Sequence, residues 1–193
     1  MTDGPGTQSP QPPNEVYGLF AGPIDQMAVA RIANAAAISS SNGVTHVHLA
    51  FQSSGGTVAD GVALYNLFRA FPVPLSVYNI GSIASAGVLA YLGARNRLAS
   101  SLATFMIHRT TSPHMGTTSD RLQAMMQNVI LDDARIEAIF RSAQLELTAE
   151  QRDTHKIADL WLSAEEAISA TIATGIGEFG PPKGQHLFFV GSI

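Results

Sequence analysis

Ser85 and His108 are the residues whose types and settings best suit covalent chemistry. Ser85 lies in a small-residue turn, Gly81-Ser82-Ile83-Ala84-Ser85-Ala86-Gly87, between an expected strand at Leu75–Ile80 and an apolar run. The start of a helix leaves backbone N–H groups unpaired, and these favour negative charge. A serine hydroxyl there stands beside ready-made anion donors, the pairing that acyl transfer needs. His108 closes a short expected strand, Thr104–Ile107. A histidine, with an ordinary pKa of about 6.5, can take a serine proton at neutral pH. The same residues also fit a plainer reading, with a tight turn packed between helix and sheet and a satisfied histidine at a strand end.

The other candidates are weaker. His46 and His48 lie two apart on an expected strand and share one face, but no acidic or cysteine ligand lies beside them. They are read as strand-packing residues, and no metal site is expected. His114 is read as a loop residue near the active cleft. Gly55-Gly56 is not a phosphate loop, because no Gly-Lys-Ser or Gly-Lys-Thr follows. The chain has no cysteine, which excludes disulfides, thiol catalysis and thiolate metal sites.

Short elements in alternation must position these groups. Val16–Phe20 reads as a strand, and Asp25 caps a helix running to about Ser39. Thr45–Phe51 alternates as a strand does. The glycine-rich turn Ser53-Ser54-Gly55-Gly56 follows, and Thr57 and Asp60 open a helix to about Ala70. The order β-α-β-α-β-α with short loops predicts an α/β fold with right-handed crossovers and a mainly parallel sheet. Both glycine-rich turns then fall at the carboxyl ends of strands, where such sheets bind ligands. Asp120–Leu145 reads as one long helix with Leu122, Met125, Met126, Val129, Ile136, Ile139 and Phe140 on its apolar side. Leu147–Lys156 is a shorter helix and Trp161-Leu162 a strand fragment. Ser163-Ala164-Glu165-Glu166 opens a last helix, expected to end at Gly175, and Leu187–Val190 is a terminal apolar segment.

Composition bounds the function. Charged residues make up 13% of the chain, against about 25% for a typical soluble domain, so part of the surface is expected to be buried against other subunits. The net charge of −4 gives no basic footprint for nucleic acid. Met1–Glu15 is polar and proline-rich and is expected to be a disordered tail ahead of a single domain over 16–193. It has no signal-peptide pattern, and a cytoplasmic protein is expected. Ala70–Ala94 is uncharged and long enough to span a bilayer, but Pro72, Pro74, Asn79 and Gly81 break it, and no membrane association is expected.

Four stretches stand in order: Ser53–Phe68, Gly81–Ala94, Phe105–Thr110 and Leu162–Ala167. In this order, over about Val16 to Phe179, the chain resembles the Clp protease proteolytic subunit family, within the wider ClpP/crotonase superfamily. The resemblance implies a serine endopeptidase that hydrolyses peptides or unfolded proteins, without a cofactor, inside a homo-oligomeric chamber of stacked rings. Ser85, in Ala84-Ser85-Ala86-Gly87, matches the nucleophile, and His108, in Met106-Ile107-His108, matches the base. The backbone amides of Gly56 and Ala86 match the oxyanion hole, where glycine at 56 would let the backbone approach without a Cβ in the way. The long helix matches the handle through which rings meet.

The resemblance is read as placing the triad acid just after the last helix. Gly175-Ile176-Gly177-Glu178 then puts Glu178 there, with an insertion of about four residues, one helical turn. Without the insertion the position falls on Thr174. Glu178, Asp159 or no acid remain open for the third member. The axial-loop segment that docks an AAA+ unfoldase ATPase is not recognisable in Met1–Glu15, which leaves that partner open. The rivals are a crotonase-type acyl-CoA enzyme and a non-catalytic or conditionally active ring subunit. A Ser-Lys dyad is disfavoured, since Lys156 and Lys183 both lie late in the chain.

Overall fold

The computed structural model describes residues 14–111 and 118–190. Strand β1 (Glu15–Ala21) leads into helix α1 (Gln26–Ser41), capped by the Asp25 carboxylate on the Ala28 N–H at 2.8 Å. The strand begins one residue inside the expected tail, and Asn14 already bonds the Asn42 carbonyl at 3.1 Å. Strand β2 (His46–Ser53) and helix α2 (Val58–Arg69) follow, the helix capped by Thr57 on the Asp60 N–H. Strand β3 (Leu75–Ala84) runs on to helix α3 (Ala86–Leu92), then β4 (Asn96–Ala99) and β5 (Thr104–Ile107). The long helix α4 (Ser119–Ser142) precedes α5 (Ala149–Ile157), β6 (Leu160–Ser163), α6 (Ala164–Ser169), β7 (Gly175–Ile176) and β8 (Leu187–Phe189).

The sheet runs β6-β5-β3-β2-β1-β8, with β4 also beside β3 and β7 beside β4. Every pair is parallel except β5–β6. This is the α/β class that the alternation predicts. Two features escape the sequence reading. β3 is longer than expected, and its two halves pair with different strands: Ser76–Asn79 with β4, Ser82–Ala84 with β5. The fully buried Asn79 sits at the changeover. Its amide donates to the Thr104 carbonyl at 2.9 Å, and its Oδ1 accepts from the Gly81 N–H at 3.0 Å. A polar side chain survives there because both its ends are satisfied.

Helix α6 is the second. It ends at Ser169, not at Gly175, and Thr171 takes the left-handed turn at φ 61°. Thr171 N–H bonds Ile168 O and Ile172 N–H bonds Ala167 O, the bond pattern that closes a helix at a left-handed residue. Glycine is the usual residue there, and its absence hid the helix end. Instead Arg97, partly buried, binds the carbonyls of Ile172, Ala94 and Thr171 and pins the turn onto β4.

Helix α4 buries only Ile136, Ile139 and Phe140, all near its carboxyl end. Leu122 and Met126 of the expected apolar side are exposed, and so are Ile130 and Leu131. The helix closes like α6, with Gln144 left-handed at φ 55° and bonds from Gln144 and Leu145 N–H to Arg141 and Phe140 O. The Gln144 side chain is exposed. Gln144→Gly is therefore expected to stabilise the fold by about 1 kcal/mol, by relieving left-handed strain. The check is a urea titration: the midpoint should rise with an unchanged slope.

Candidate active site

Ser85 stands at the joint between β3 and α3, with φ 54° and ψ −126°. Such backbone costs about 1–3 kcal/mol in a non-glycine residue and persists only where its surroundings dictate it. Here the Ser85 N–H bonds the Met106 carbonyl at 2.8 Å, and all seven residues of α3 are buried. Gly55, at φ 94°, packs against the turn so closely that a Cβ there would lie 2.6 Å from the Ser85 Cβ.

His108 follows β5, which pairs beside the end of β3 in the register Ala84↔Met106. Its Nε2 lies 2.7 Å from Ser85 Oγ, a hydrogen bond. Gly56 and Ala86 line the same cleft, of about 270 Å³. Ala86 is the first residue of α3, so its N–H has no acceptor within the helix. Gly56 forms an isolated bridge with Ile24, in which Ile24 N–H bonds Gly55 O and Thr57 N–H bonds Ile24 O. That pattern leaves the Gly56 N–H unused. The reason for glycine at 56 differs from the expected one: a Cβ would sit 1.9 Å from the Ile24 carbonyl oxygen, so Ile24 rather than substrate demands it. Leu89, Val129, Ile136 and Phe140 give the cleft an apolar wall, and Asn128 and Asp132 a polar one.

Glu178 does not join this group. Its Oε1 accepts from the Ser101 N–H at 3.2 Å, before the start of β5, whereas His108 follows the strand's far end. The physical reason is the early end of α6. No extra turn intervenes, and the chain returns to the sheet at Thr174, which exchanges hydrogen bonds with the Arg97 backbone. Asp159 is placed differently. The antiparallel β5–β6 ladder ends at Ile107↔Leu160, so Asp159 directly precedes the partner of the residue directly before His108. Asp159 is exposed, and among the described residues Ser85 is the only hydrogen-bond partner of the His108 ring. The signal available in the sequence was the pairing of Trp161-Leu162 with the strand before His108.

His46 and His48 stack on each other with ring centres 4.3 Å apart, and His48 stacks on Tyr17 at 4.6 Å. His46 bonds Ser76 Oγ and His48 bonds the Tyr78 hydroxyl. Burial, and then the neighbouring His46, lowers the His48 pKa, against the pull of Glu15. This is strand packing. Among the described residues no three His, Cys, Asp or Glu side chains group to hold a metal. His114 lies outside the described residues. Sequence reasoning missed Asp133 of α4, whose carboxylate bonds Arg109 and the Thr110 N–H directly after His108.

Comparison with known proteins agrees with this architecture. Residues 19–178 match the family model described as Clp protease. The chain is 30% identical over 149 residues to the ATP-dependent Clp protease proteolytic subunit 1 of Streptomyces avermitilis, covering 75% of this chain and 67% of that one. It is 26% identical over 170 residues to proteolytic subunit 3 of Rhizobium meliloti, covering 84% of each. To proteolytic subunit 2 of Pseudomonas aeruginosa it is 27% identical over 124 residues, spanning 61% of that protein's length. Among solved structures, a ClpP1 mutant from Listeria monocytogenes has the same fold, with a TM-score of 0.71 at 24% identity over 86% of this chain and 92% of that one.

The position of the Glu178 carboxylate has a direct consequence. Glu178→Gln should leave the rate of fluorophosphonate labelling within about twofold of the parent, as for an exposed site remote from the chemistry. Gly55→Ala, which drives a methyl group into Ser85, should suppress labelling. A large labelling defect in Glu178→Gln would restore the carboxylate to the site.

Proposed function

The chain belongs to the Clp protease family, and from that premise we propose that it is a serine-type endopeptidase that cleaves peptides or unfolded proteins through an acyl-enzyme. The observation that carries the reading is the 2.7 Å hydrogen bond between His108 Nε2 and Ser85 Oγ, in a cleft that also holds the Gly56 and Ala86 N–H groups. As Ser85 Oγ attacks the scissile carbonyl, its proton passes to His108 Nε2. The carbonyl oxygen becomes an oxyanion within reach of the two amides. The C–N bond breaks, the leaving amine takes the proton from His108, and an ester to Ser85 remains. Water, activated by the same imidazole, releases the acid.

Asp159 is the third member in this reading, replacing Glu178. Asp159 directly precedes β6 and His108 directly follows β5, at the end of the ladder where Ile107 pairs with Leu160, which supports a carboxylate near the imidazole. Their lack of a hydrogen bond here favours a second reading, a subunit that becomes active when assembly draws Asp159 onto His108. The exposed apolar run of α4 and the low charge content support a homo-oligomer of stacked rings as the assembly. An AAA+ unfoldase partner is part of the same family-based reading. No helix among the described residues is long and apolar enough to cross a membrane.

Ser85→Ala should abolish both peptide hydrolysis and fluorophosphonate labelling without unfolding the chain. Asp159→Asn should lower turnover by up to about 10⁴-fold, the effect of neutralising a triad acid elsewhere. Labelling that persists at another serine would refute the nucleophile. Undiminished turnover in Asp159→Asn would refute the acid. Sedimentation alongside activity separates the two readings: specific activity that rises with assembly marks the conditionally active subunit, and activity independent of assembly the other.

A further inference from the structure

His108, Arg109, Thr110 and Thr111 belong to no strand or helix, so no ladder holds the chain that carries the imidazole once β5 has ended. One side chain from the middle of α4 grips it. Asp133 Oδ2 accepts from Arg109 Nε at 3.2 Å and from Arg109 Nη2 at 2.5 Å. Asp133 Oδ1 accepts from the Thr110 backbone N–H at 3.1 Å. A single carboxylate therefore grips the two residues that directly follow His108. Both residues line the cleft with Ser85.

We infer that Asp133 is a positioning residue for His108: through Arg109 and Thr110 it fixes where the imidazole stands relative to Ser85 Oγ, and it makes that position depend on α4. The inference rests on the reading of Ser85 and His108 as nucleophile and base. Two features separate this carboxylate from an ordinary surface ion pair, which contributes little. Its side chain is only 20% exposed, against 57% for Arg109, and one of its oxygens is spent on backbone rather than on a mobile cation. Charge-assisted bonds of this kind are short and directional. Catalytic groups must be held to within about 0.5 Å of the productive geometry. A displacement of about 1 Å can cost about 10²-fold in rate.

Protonation does not release the grip near neutral pH. Burial opposes the charge on Asp133, but the hydrogen bonds from Arg109 and Thr110 outweigh it and hold the carboxyl below the usual carboxylate range. A group depressed in this way is ionised in the folded state at neutral pH. Its contribution is lost only as pH falls through that lowered value. Asparagine at 133 therefore reproduces at neutral pH what acid would otherwise be needed to do.

The test uses the full chain and two substitutions. Asp133→Asn keeps the shape but removes the charge, and Arg109→Ala acts at an exposed side chain where folding is not at stake. Both should lower kcat by between about tenfold and 10²-fold, with KM little changed. The double variant should lose no more than the larger single loss, and Asp133→Glu should recover part of the rate. The NMR shifts of the His108 imidazole, which need no turnover, should move in both single variants. If kcat and the His108 shifts are unchanged in both, the inference is overturned, whatever happens to Tm. If the parent fails to label at Ser85, it is the peptidase reading that falls. The imidazole shifts then decide on Asp133 alone: movement upholds the positioning role and constancy removes it.

Discussion

The structure depends on a serine held where serine does not rest. Ser85 at φ 54° has a cost of about 1–3 kcal/mol, so its neighbours must dictate the conformation. They do so with a large margin. Helix α3 buries Val88, Leu89, Tyr91 and Leu92 to 5% exposure or less, and each such side chain contributes about 1.5–3 kcal/mol. That burial fixes the axis of the helix, and pairing with β2, β4 and β5 fixes the direction of β3. The joint has no freedom left, and the strain falls on Ser85, which lines the cleft.

Bringing His108 to this serine is a problem of sheet topology. β4 follows α3 and pairs only with the first half of β3. Had β5 simply taken the next lane, His108 would stand one strand too far away. Instead β3 exchanges one neighbour for another at Asn79, whose amide ties the incoming Thr104 to the outgoing strand. β5 then lies directly beside the last residues before Ser85, and Met106 both pairs with Ala84 and accepts the Ser85 N–H. A fully buried amide with two satisfied ends is thus a structural requirement for the Ser85–His108 contact, although it touches neither residue.

Period and turn chemistry made most of the fold legible. The alternation of strands and helices, the caps at Asp25, Thr57 and Ser163, and the two glycine-rich turns at strand ends all have local causes, and the structure has them where the sequence implies. Ser85, Gly56, Ala86 and His108 share one cleft for the same reason: each sits at the end of an element that local pattern reveals. The place of the Glu178 carboxylate was misread because it is set by non-local events. Helix α6 ends at Ser169 and is closed by Thr171, a residue type that rarely adopts a left-handed turn, so the usual glycine signal is missing. Asp159 comes to the His108 end of β5 through an antiparallel pairing between strands of four residues each, too short to carry a period. The Arg97 knot and the Asn79 changeover are equally silent, because single polar residues acquire meaning only when distant carbonyls gather around them.

Helix α4 links the two scales of the molecule. Its last turns belong to the core through Ile136, Ile139 and Phe140, and Phe140 also walls the cleft. Its earlier turns expose Leu122, Met126, Ile130 and Leu131, apolar surface that the other described residues leave uncovered. Asp133 lies between these regions, gripping the chain just beyond His108. A rigid helix transmits displacement along its length, since its backbone bonds run from turn to turn. Any surface that seats the exposed turns therefore acts on the same body that holds the imidazole. Asp133 thus ties the chain just beyond His108 to the same helix that carries the exposed turns.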